Sequence, residues 1–407
     1  MEALSAKGVQ MKRTGVEFVS LFCGCGGFDQ GLIQAGFHCR AAFDIDPLAV
    51  QVHRQNLGDI ATVSDLSAPH VDLSGLQDTD VMIAGPPCQG FSTAGKRILH
   101  DPRNDLLLAA GRIAKKIKPK VFVAENVMGV AAGEHRKYWT SLEGILRSAG
   151  YETLEMRCDL TEIGVAQTRK RAIMVAWRSS RNSTLRLPKQ NRIVLRDVLT
   201  KINGASNHHP QHIPKDSYLA RIARHIAPGQ KLCNVRGGPR SVHTWDIPDV
   251  FGITSPEERT VLEAMLHLRR RMRLRATGDA DPVLDSSVTE EVGYPSEGIL
   301  VELAARGYVR RIGRRYDLTN TFNGKFRRLL WDEPSPTVDT RFTEPRYFLH
   351  PDEQRGMTVR EAARIQGFPD SFVFSGPERE QCRMIGNAVP PPLGYHLGVI
   401  IRQALIR

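Results

Sequence analysis

Short apolar runs that each end in a turn of glycine, proline or charged residues are the strongest constraint on how this chain folds. Asp80-Val81-Met82-Ile83-Ala84-Gly85 runs directly into Pro86-Pro87-Cys88-Gln89-Gly90-Phe91-Ser92. Two prolines fix φ and cannot continue a strand. The spacing therefore predicts a buried strand that stops abruptly and turns Cys88 outward. Open α/β sheets bind their ligands at this edge, the carboxyl end of parallel strands. A lone cysteine is ordinarily a small buried hydrophobe, and it is the surroundings of Cys88 that separate it from that class.

Upstream, Val16-Glu17-Phe18-Val19-Ser20-Leu21-Phe22 reads as another strand. The turn Cys23-Gly24-Cys25-Gly26-Gly27-Phe28 follows it, with a helix expected from near Asp29 to near Gly36. Glycines there let backbone approach a ligand and leave helix-start N–H groups available. A second strand, residues 38 to 43, ends at Asp44 and Asp46. An acid about 20 residues beyond a glycine turn suits a ribose diol, so the pattern points to a nucleoside-containing cofactor. Downstream, Lys120-Val121-Phe122-Val123-Ala124 ends in Glu125-Asn126-Val127. Gln167-Thr168-Arg169-Lys170-Arg171 then precedes the strand Ala172-Ile173-Met174-Val175-Ala176. Strand alternation sets Gln167, Arg169 and Arg171 on one face. A thiol, a carboxyl group and arginines converging on one cleft supply a nucleophile, a proton donor and an anion anchor.

In this order the blocks resemble the bacterial-type DNA (cytosine-5)-methyltransferase family. They are Phe22-Cys23-Gly24-Cys25-Gly26-Gly27, Pro87-Cys88-Gln89, Glu125-Asn126-Val127 and Gln167-Thr168-Arg169-Lys170-Arg171. The resemblance resumes with Arg360-Glu361-Ala362-Ala363-Arg364-Ile365-Gln366-Gly367-Phe368-Pro369 and with Gly386-Asn387-Ala388-Val389-Pro390-Pro391. It covers residues 16 to 180 and about 332 to 405. It implies an α/β fold, the doubly wound Rossmann-like sheet of S-adenosylmethionine-dependent methyltransferases, with a smaller target-recognition domain.

The resemblance also implies chemistry. Cys88 would add as a thiolate to carbon 6 of a flipped-out cytosine. Glu125 would hold ring N3 and the exocyclic amine, while Arg169 and Arg171 would steady the nucleotide and its phosphates. Methyl transfer to carbon 5 from S-adenosyl-L-methionine would follow. The implied cofactor contacts are Phe22, Gly24, Gly26, Asp44, Asp65, Pro87, Asn387 and Val389. Gln89, Ser92, Lys96, Arg97 and Gln167 would touch DNA, and Arg103 belongs to the same loop. Residues 15–184 would form the catalytic and cofactor-binding domain, and 332–407 would return to it after a recognition domain at 185–331. Residues 1–14 read as a basic arm.

Composition is compatible with this. Of 407 residues, 56 are Lys or Arg and 44 are Asp or Glu, a net charge of +12 that suits a polyanionic partner. Residues 201–330 hold 21 basic against 14 acidic residues, so under a third of the chain carries more than half of the excess. Seven cysteines without zinc-like pairing apart from Cys23-x-Cys25 in the glycine turn, no secretory leader and no membrane-length apolar run point to a reducing cytoplasm, at the nucleoid, and to no metal. Three histidines, His208, His209 and His212, lack accompanying cysteines or carboxylates and read as a polar loop. The expected partners are double-stranded DNA and a cognate restriction endonuclease acting on the same site, with the chain working as a monomer.

Within the recognition region, Ser255-Pro256-Glu257-Glu258 is a capping box that predicts a helix to about Arg273. A second helix is expected from Ser296 to Arg306, and then a basic hairpin whose Arg310, Arg311, Arg314 and Arg315 would contact DNA. Helix, helix and hairpin over 255–320 resemble a winged helix. Asn234 and Trp245 are candidate groove contacts. Arg360, Glu361 and Gln366 read as scaffold. Three other functions fit parts of the pattern: an RNA cytosine-5 methyltransferase, a catalytically inactive DNA-binding regulator and, from the glycine turn alone, a nicotinamide dehydrogenase.

Overall fold

The computed structural model describes residues 15–68, 71–91, 101–178, 185–273, 281–321 and 324–406. The basic arm and the expected DNA contacts Ser92, Lys96 and Arg97 lie outside those residues. The described chain divides into two compact units. The first comprises residues up to Val198 with Pro336–Thr340 and the stretch from Ala363 onward; the second comprises Leu199–Ser335 and Arg341–Ala362. Residues 341–362, expected with the catalytic part, thus group with the second unit.

The first unit is built on one sheet of seven strands. They are β1 (Val16–Leu21), β2 (Phe37–Asp44), β3 (Ala61–Val63), β4 (Val81–Ala84), β5 (Val121–Val127), β6 (Glu152–Asp159) and β7 (Lys170–Trp177). Their order is β3-β2-β1-β4-β5-β7-β6. The first five pair in parallel, and β7 runs antiparallel between β5 and β6. Both faces are covered, so these strands read as continuous apolar runs rather than alternating ones. Met82, Ala84, Phe122 and Ala124 enter one core, while Val81, Ile83, Val121 and Val123 enter the other.

Four helices follow the strands: α1 (Gly27–Gln34), α2 (Pro47–Leu57), α3 (Asp105–Ile117) and α4 (Arg136–Ser148). From β1 the chain winds outward to β2 and β3, then crosses back to β4 on the other side. The topological switch point, where such sheets open a crevice at their carboxyl ends, therefore lies between β1 and β4.

Helix α1 meets the C-terminal helix Pro391–Ile406 at unusually short range. A Cβ at Gly31 would stand 2.2 Å from the Pro391 carbonyl oxygen, and one at Gly394 would stand 2.5 Å from the Phe28 carbonyl oxygen. Only glycine permits this approach, and it brings the end of the chain against the first βα turn.

The second unit contains a compact α/β piece. Helix α5 (Pro256–Arg271) leads to β8 (Val283–Leu284), α6 (Asp285–Val292), α7 (Glu297–Ala305), β9 (Val309–Ile312) and β10 (Arg315–Leu318). Its antiparallel sheet has the order β8-β10-β9. Helix, strand, two helices and a two-stranded hairpin in that order make the connectivity of a winged helix. Sequence reading missed α6, whose Asp-Ser-Ser start and double glutamate carry little apolar periodicity. The α5 capping box forms as its residues dictate: Glu258 N–H donates to Ser255 Oγ at 3.1 Å and Ser255 N–H to Glu258 Oε2 at 2.8 Å.

Two expectations for this unit are corrected. Trp245 is 1% exposed within the core of the winged helix. Asn234 is fully buried, bonding the Thr244 hydroxyl and the Thr319 carbonyl. Neither side chain is available to a groove. Arg360 and Glu361 are scaffold: Arg360 Nε donates to the Ser206 carbonyl at 2.7 Å, and Glu361 receives both terminal nitrogens of Arg355 at 2.7 and 2.8 Å.

Substituting Gly31→Ala should force α1 away from the C-terminal helix and destabilise the protein by about 1–3 kcal/mol, the usual cost of overpacking. Urea unfolding of both proteins measures it as a lowered midpoint.

Candidate active site

Four chain segments from the first unit supply the chemistry. At the end of β4 the chain leaves the sheet through Pro86 and Pro87. The Asn126 side chain, from β5, donates to the Pro86 carbonyl at 3.2 Å and ties the two strand ends together. Phe91 N–H closes a turn onto the Cys88 carbonyl at 2.9 Å. The Phe91 ring is fully buried, edge-on to His135 and Tyr138 at centroid distances of 5.5 and 5.6 Å. Cys88 is thus fixed on both sides while remaining partly exposed; Gln89 beside it faces solvent.

Glu125 lies on β5 and Arg171 at the start of β7. Antiparallel register sets Val127 opposite Arg171, which brings the Arg171 side chain back along β5. Arg171 Nε lies 2.6 Å from Glu125 Oε1, and both side chains are at least nine-tenths buried. The charges of Arg171, Glu125 and Arg169 all act on the Cys88 thiol. Burial dominates and pushes the thiol above its ordinary value; Arg171 pulls it down, Glu125 pushes it up, and Arg169 pulls it down. At neutral pH the resting thiol is protonated.

The neighbouring crevice is floored by small residues and rimmed by acids. Gly24 has nothing within 4 Å of where a Cβ would stand, whereas a Cβ at Gly85 would touch Val389 Cγ2 at 3.4 Å and approach the Phe22 carbonyl. Phe22 itself sits at φ +56°, the left-handed region, at the step from β1 into the glycine turn. Gly24 N–H donates to Asp44 Oδ2 at 2.8 Å and Asp46 N–H to Asp44 Oδ1 at 2.9 Å. Each carboxylate oxygen keeps a further lone pair, as a ribose diol requires. Ile45, between the two acids, is 64% exposed, an apolar surface for a planar base that sequence reading overlooked.

Asp65 is exposed, with Oδ1 receiving both the N–H and the hydroxyl of Ser67. Asn387 is exposed at the end of helix Glu378–Asn387, and Val389 is buried just beyond it. Open glycine backbone, a half-satisfied acid and an exposed aliphatic side chain fit a nucleoside. Asp46 plays another part, capping α2 through Leu48 and Ala49 N–H and pairing with Arg383; the Pro47 after it is the signal for such a cap.

Residues 16–403 match the family model for C-5 cytosine-specific DNA methylase. The chain belongs to the C-5 cytosine-specific DNA methylase family. Among curated proteins, the Type II methyltransferase M.XorII of Xanthomonas oryzae pv. oryzae is 31% identical over 95% of this chain and 84% of its own length. The Type II methyltransferase M.AgeI of Thalassovita gelatinovora is 28% identical over 95% and 99%. Two solved structures share the fold. A DNA modification methyltransferase encoded in an E. coli prophage superposes with a TM-score of 0.58 at 22% identity, covering 96% of this chain and 100% of its own. S. pombe Dnmt2 gives 0.51 at 17%, covering 96% and 99%. The protein is accordingly an enzyme, a DNA cytosine-5 methyltransferase.

In this methylase the two arginines of the 167–171 segment do different work. Arg171 faces the carboxylate, but Arg169 does not reach for a nucleotide. It is 3% exposed and donates to the carbonyls of Val338, Gly386 and Ala388 at 3.0–3.1 Å. Burial, then the like charge of Arg171, pulls its guanidinium down to about 9, still protonated at neutral pH. Gln167 is corrected likewise. Fully buried, it accepts from Val338 N–H at 3.1 Å and donates to Gln366, which in turn donates to the Ile385 and Ala388 carbonyls at 3.0 and 2.8 Å. Both expected ligand contacts are instead a clamp on the returning C-terminal block. One more cluster lies beneath the glycine turn: Asp29 receives Ser20 Oγ at 2.6 Å and faces His53 Nε2 at 2.7 Å, with Cys23 nearby, all buried. Both Asp29 oxygens are engaged, so the group braces the turn.

Alkylation of Cys88 in the free methylase should be slow at neutral pH and keep rising with pH beyond the ordinary thiol range, because burial raises the thiol and only the thiolate reacts. Arg171→Gln should slow it further. Rate against pH, followed by mass spectrometry of the Cys88 peptide, is the measurement. Arg169→Leu should unfold at lower denaturant, losing about 2–5 kcal/mol by leaving the buried Val338 and Gly386 carbonyls unpaired, while Ala388 keeps its bond from Gln366.

Proposed function

We propose that the protein methylates carbon 5 of cytosine at a specific sequence in double-stranded DNA, on a base swung out of the helix, with Cys88 as nucleophile. The observation that carries this reading is the buried Glu125–Arg171 pair at the strand ends whose charges act on Cys88. Carbon 5 of cytosine is a weak nucleophile. Addition of the Cys88 thiolate to carbon 6, with a proton shared between Glu125 and ring N3, makes carbon 5 electron-rich. Arg171 holds Glu125 in place for that exchange. After methyl transfer, loss of the carbon 5 proton expels Cys88 and restores the aromatic ring, leaving 5-methylcytosine. A stacked base cannot reach a turn recessed this way, so extrusion from the duplex is required.

S-adenosyl-L-methionine, when bound, supplies the electrophilic methyl group. The residues that would hold it are Phe22, Gly24, Gly26, Asp44, Asp65, Pro87, Asn387 and Val389, and Ile45 joins them as an adenine contact. Asp44 takes the ribose hydroxyls with the lone pairs left by Gly24 and Asp46. The second unit reads the target sequence, and Gln89 meets the DNA beside Cys88. The Type II relatives extend the reading to a cognate endonuclease at the same site. No helix among the described residues is long and apolar enough to cross a membrane. Monomeric action on nucleoid DNA completes the proposed reading.

Bisulfite sequencing of DNA from a methylation-free host expressing the chain should show protected cytosines within one short motif. A Cys88→Ser control should show none, and Glu125→Gln should reduce turnover about 100-fold or more, the scale of a lost acid–base group. Folded wild-type protein that protects no cytosine overturns the reading.

A further inference from the structure

The winged helix of the second unit has its charge arranged the wrong way round for reading DNA through α6 and α7. From Asp285 through Ala305, which spans α6 and α7, there are five acidic residues and no Lys or Arg. From Arg306 through Arg315, which spans the entry to the hairpin, β9 and the turn, there are five arginines and no Asp or Glu. The solvent face of α7, the helix that a winged helix would lay in the major groove, consists of Glu297, Gly298, Val301, Glu302 and Ala305. A helix in that groove passes between two rows of phosphates, and positively charged or hydrogen-bond-donating side chains normally hold it there. This face offers none, and its two carboxylates repel the backbone.

The hairpin has the opposite character and is held rigidly. Gly313 at φ +61° takes the first position of the two-residue turn, the one a type II′ hairpin reserves for glycine. At its base Asp317, fully buried, lies 2.8 Å from Arg269 Nε and 2.7 Å from Arg310 Nη2. Arg315 Nη1 donates to the Pro282 carbonyl at 3.1 Å, and β8 pairs along the outer edge of β10. Arg310 and Arg315 are therefore partly occupied in holding the hairpin. Arg311 and Arg314 stand exposed at its tip, and between them Ile312 is 44% exposed. Cationic side chains on either side of a protruding aliphatic one suit the minor groove, where arginine follows the potential and an apolar side chain wedges between base steps.

We propose that this winged helix grips duplex DNA with its wing alone: Arg311 and Arg314 neutralise backbone charge, Ile312 enters the minor groove, and α7 stays off the DNA. The proposal rests on duplex DNA being the substrate. It assigns DNA contact to three of the 407 residues and removes it from the helix that the architecture would otherwise nominate.

Binding of the full-length chain to a fluorescent 30-base-pair duplex bearing its methylation site, followed by anisotropy over a salt series, tests this. Arg311→Ala with Arg314→Ala should weaken binding about 10- to 100-fold near 0.1 M salt and flatten the slope of log Kd against log salt by about two, one per phosphate contact. Ile312→Ser should weaken binding with the slope unchanged. The triple variant Glu297→Ala, Val301→Ala, Glu302→Ala should bind within about threefold of wild type and methylate the same site. Thermal melts verify that each variant is folded. A triple variant that loses binding, or a double variant that binds like wild type, overturns the wing while leaving the methyltransferase reading intact. Folded wild-type protein that binds no duplex overturns both.

Discussion

The catalytic unit depends on a clamp made by two side chains just ahead of β7. Gln167 and Arg169 are buried, and together with Gln366 they bond carbonyls and an N–H of Val338, Ile385, Gly386 and Ala388. Ile385, Gly386 and Ala388 lie at the end of helix Glu378–Asn387, where the last carbonyls run out of intrahelical donors, and Val338 lies in an irregular segment. Unpaired, each would carry a desolvation penalty on the order of 1–3 kcal/mol. Bonded, they fix the backbone around Asn387 and Val389, and Val389 Cγ2 faces Gly85 just beyond β4. A charged guanidinium is the better choice here because its donors fan out in one plane and serve three acceptors.

A division of labour between the two arginines follows. Arg169 holds backbone, so its charge acts on the site from a distance; Arg171 touches Glu125 directly. Both lower the cost of a thiolate at Cys88, but burial outweighs them in the resting protein. A thiol kept protonated until the site is filled is less exposed to oxidation and stray alkylation. On the proposed mechanism, activation then falls to whatever changes around Cys88 when substrate arrives.

Much of this was legible in the chain. Cys88, Glu125 and the glycine turn could be read because each terminates a run of residues buried on both sheet faces, and such runs announce strand ends. The capping box at Ser255 and the glycine turn at 313 were local signals, and both formed. What escaped was whatever depends on distant partners. Gln167 and Arg169 look like ligand-facing polar residues until Val338 and Gln366 come alongside. Trp245 and Asn234 are polar-tipped side chains that the fold buries. Helix α6 has too little apolar repeat to show, and Ile45 becomes informative only once Asp44 and Asp46 are seen engaged on either side.

The close seat of Gly31 against Gly394 has a consequence for how the protein is made. The first βα turn is completed by a helix about 360 residues later in the chain. Until that helix emerges from the ribosome, Phe28 and Leu32 have no cover, and the Gln167–Arg169 clamp has nothing to hold. Contacts this distant in sequence form late and slowly. A nascent chain that has not yet reached the helix from Pro391 therefore lacks the packing that completes this turn.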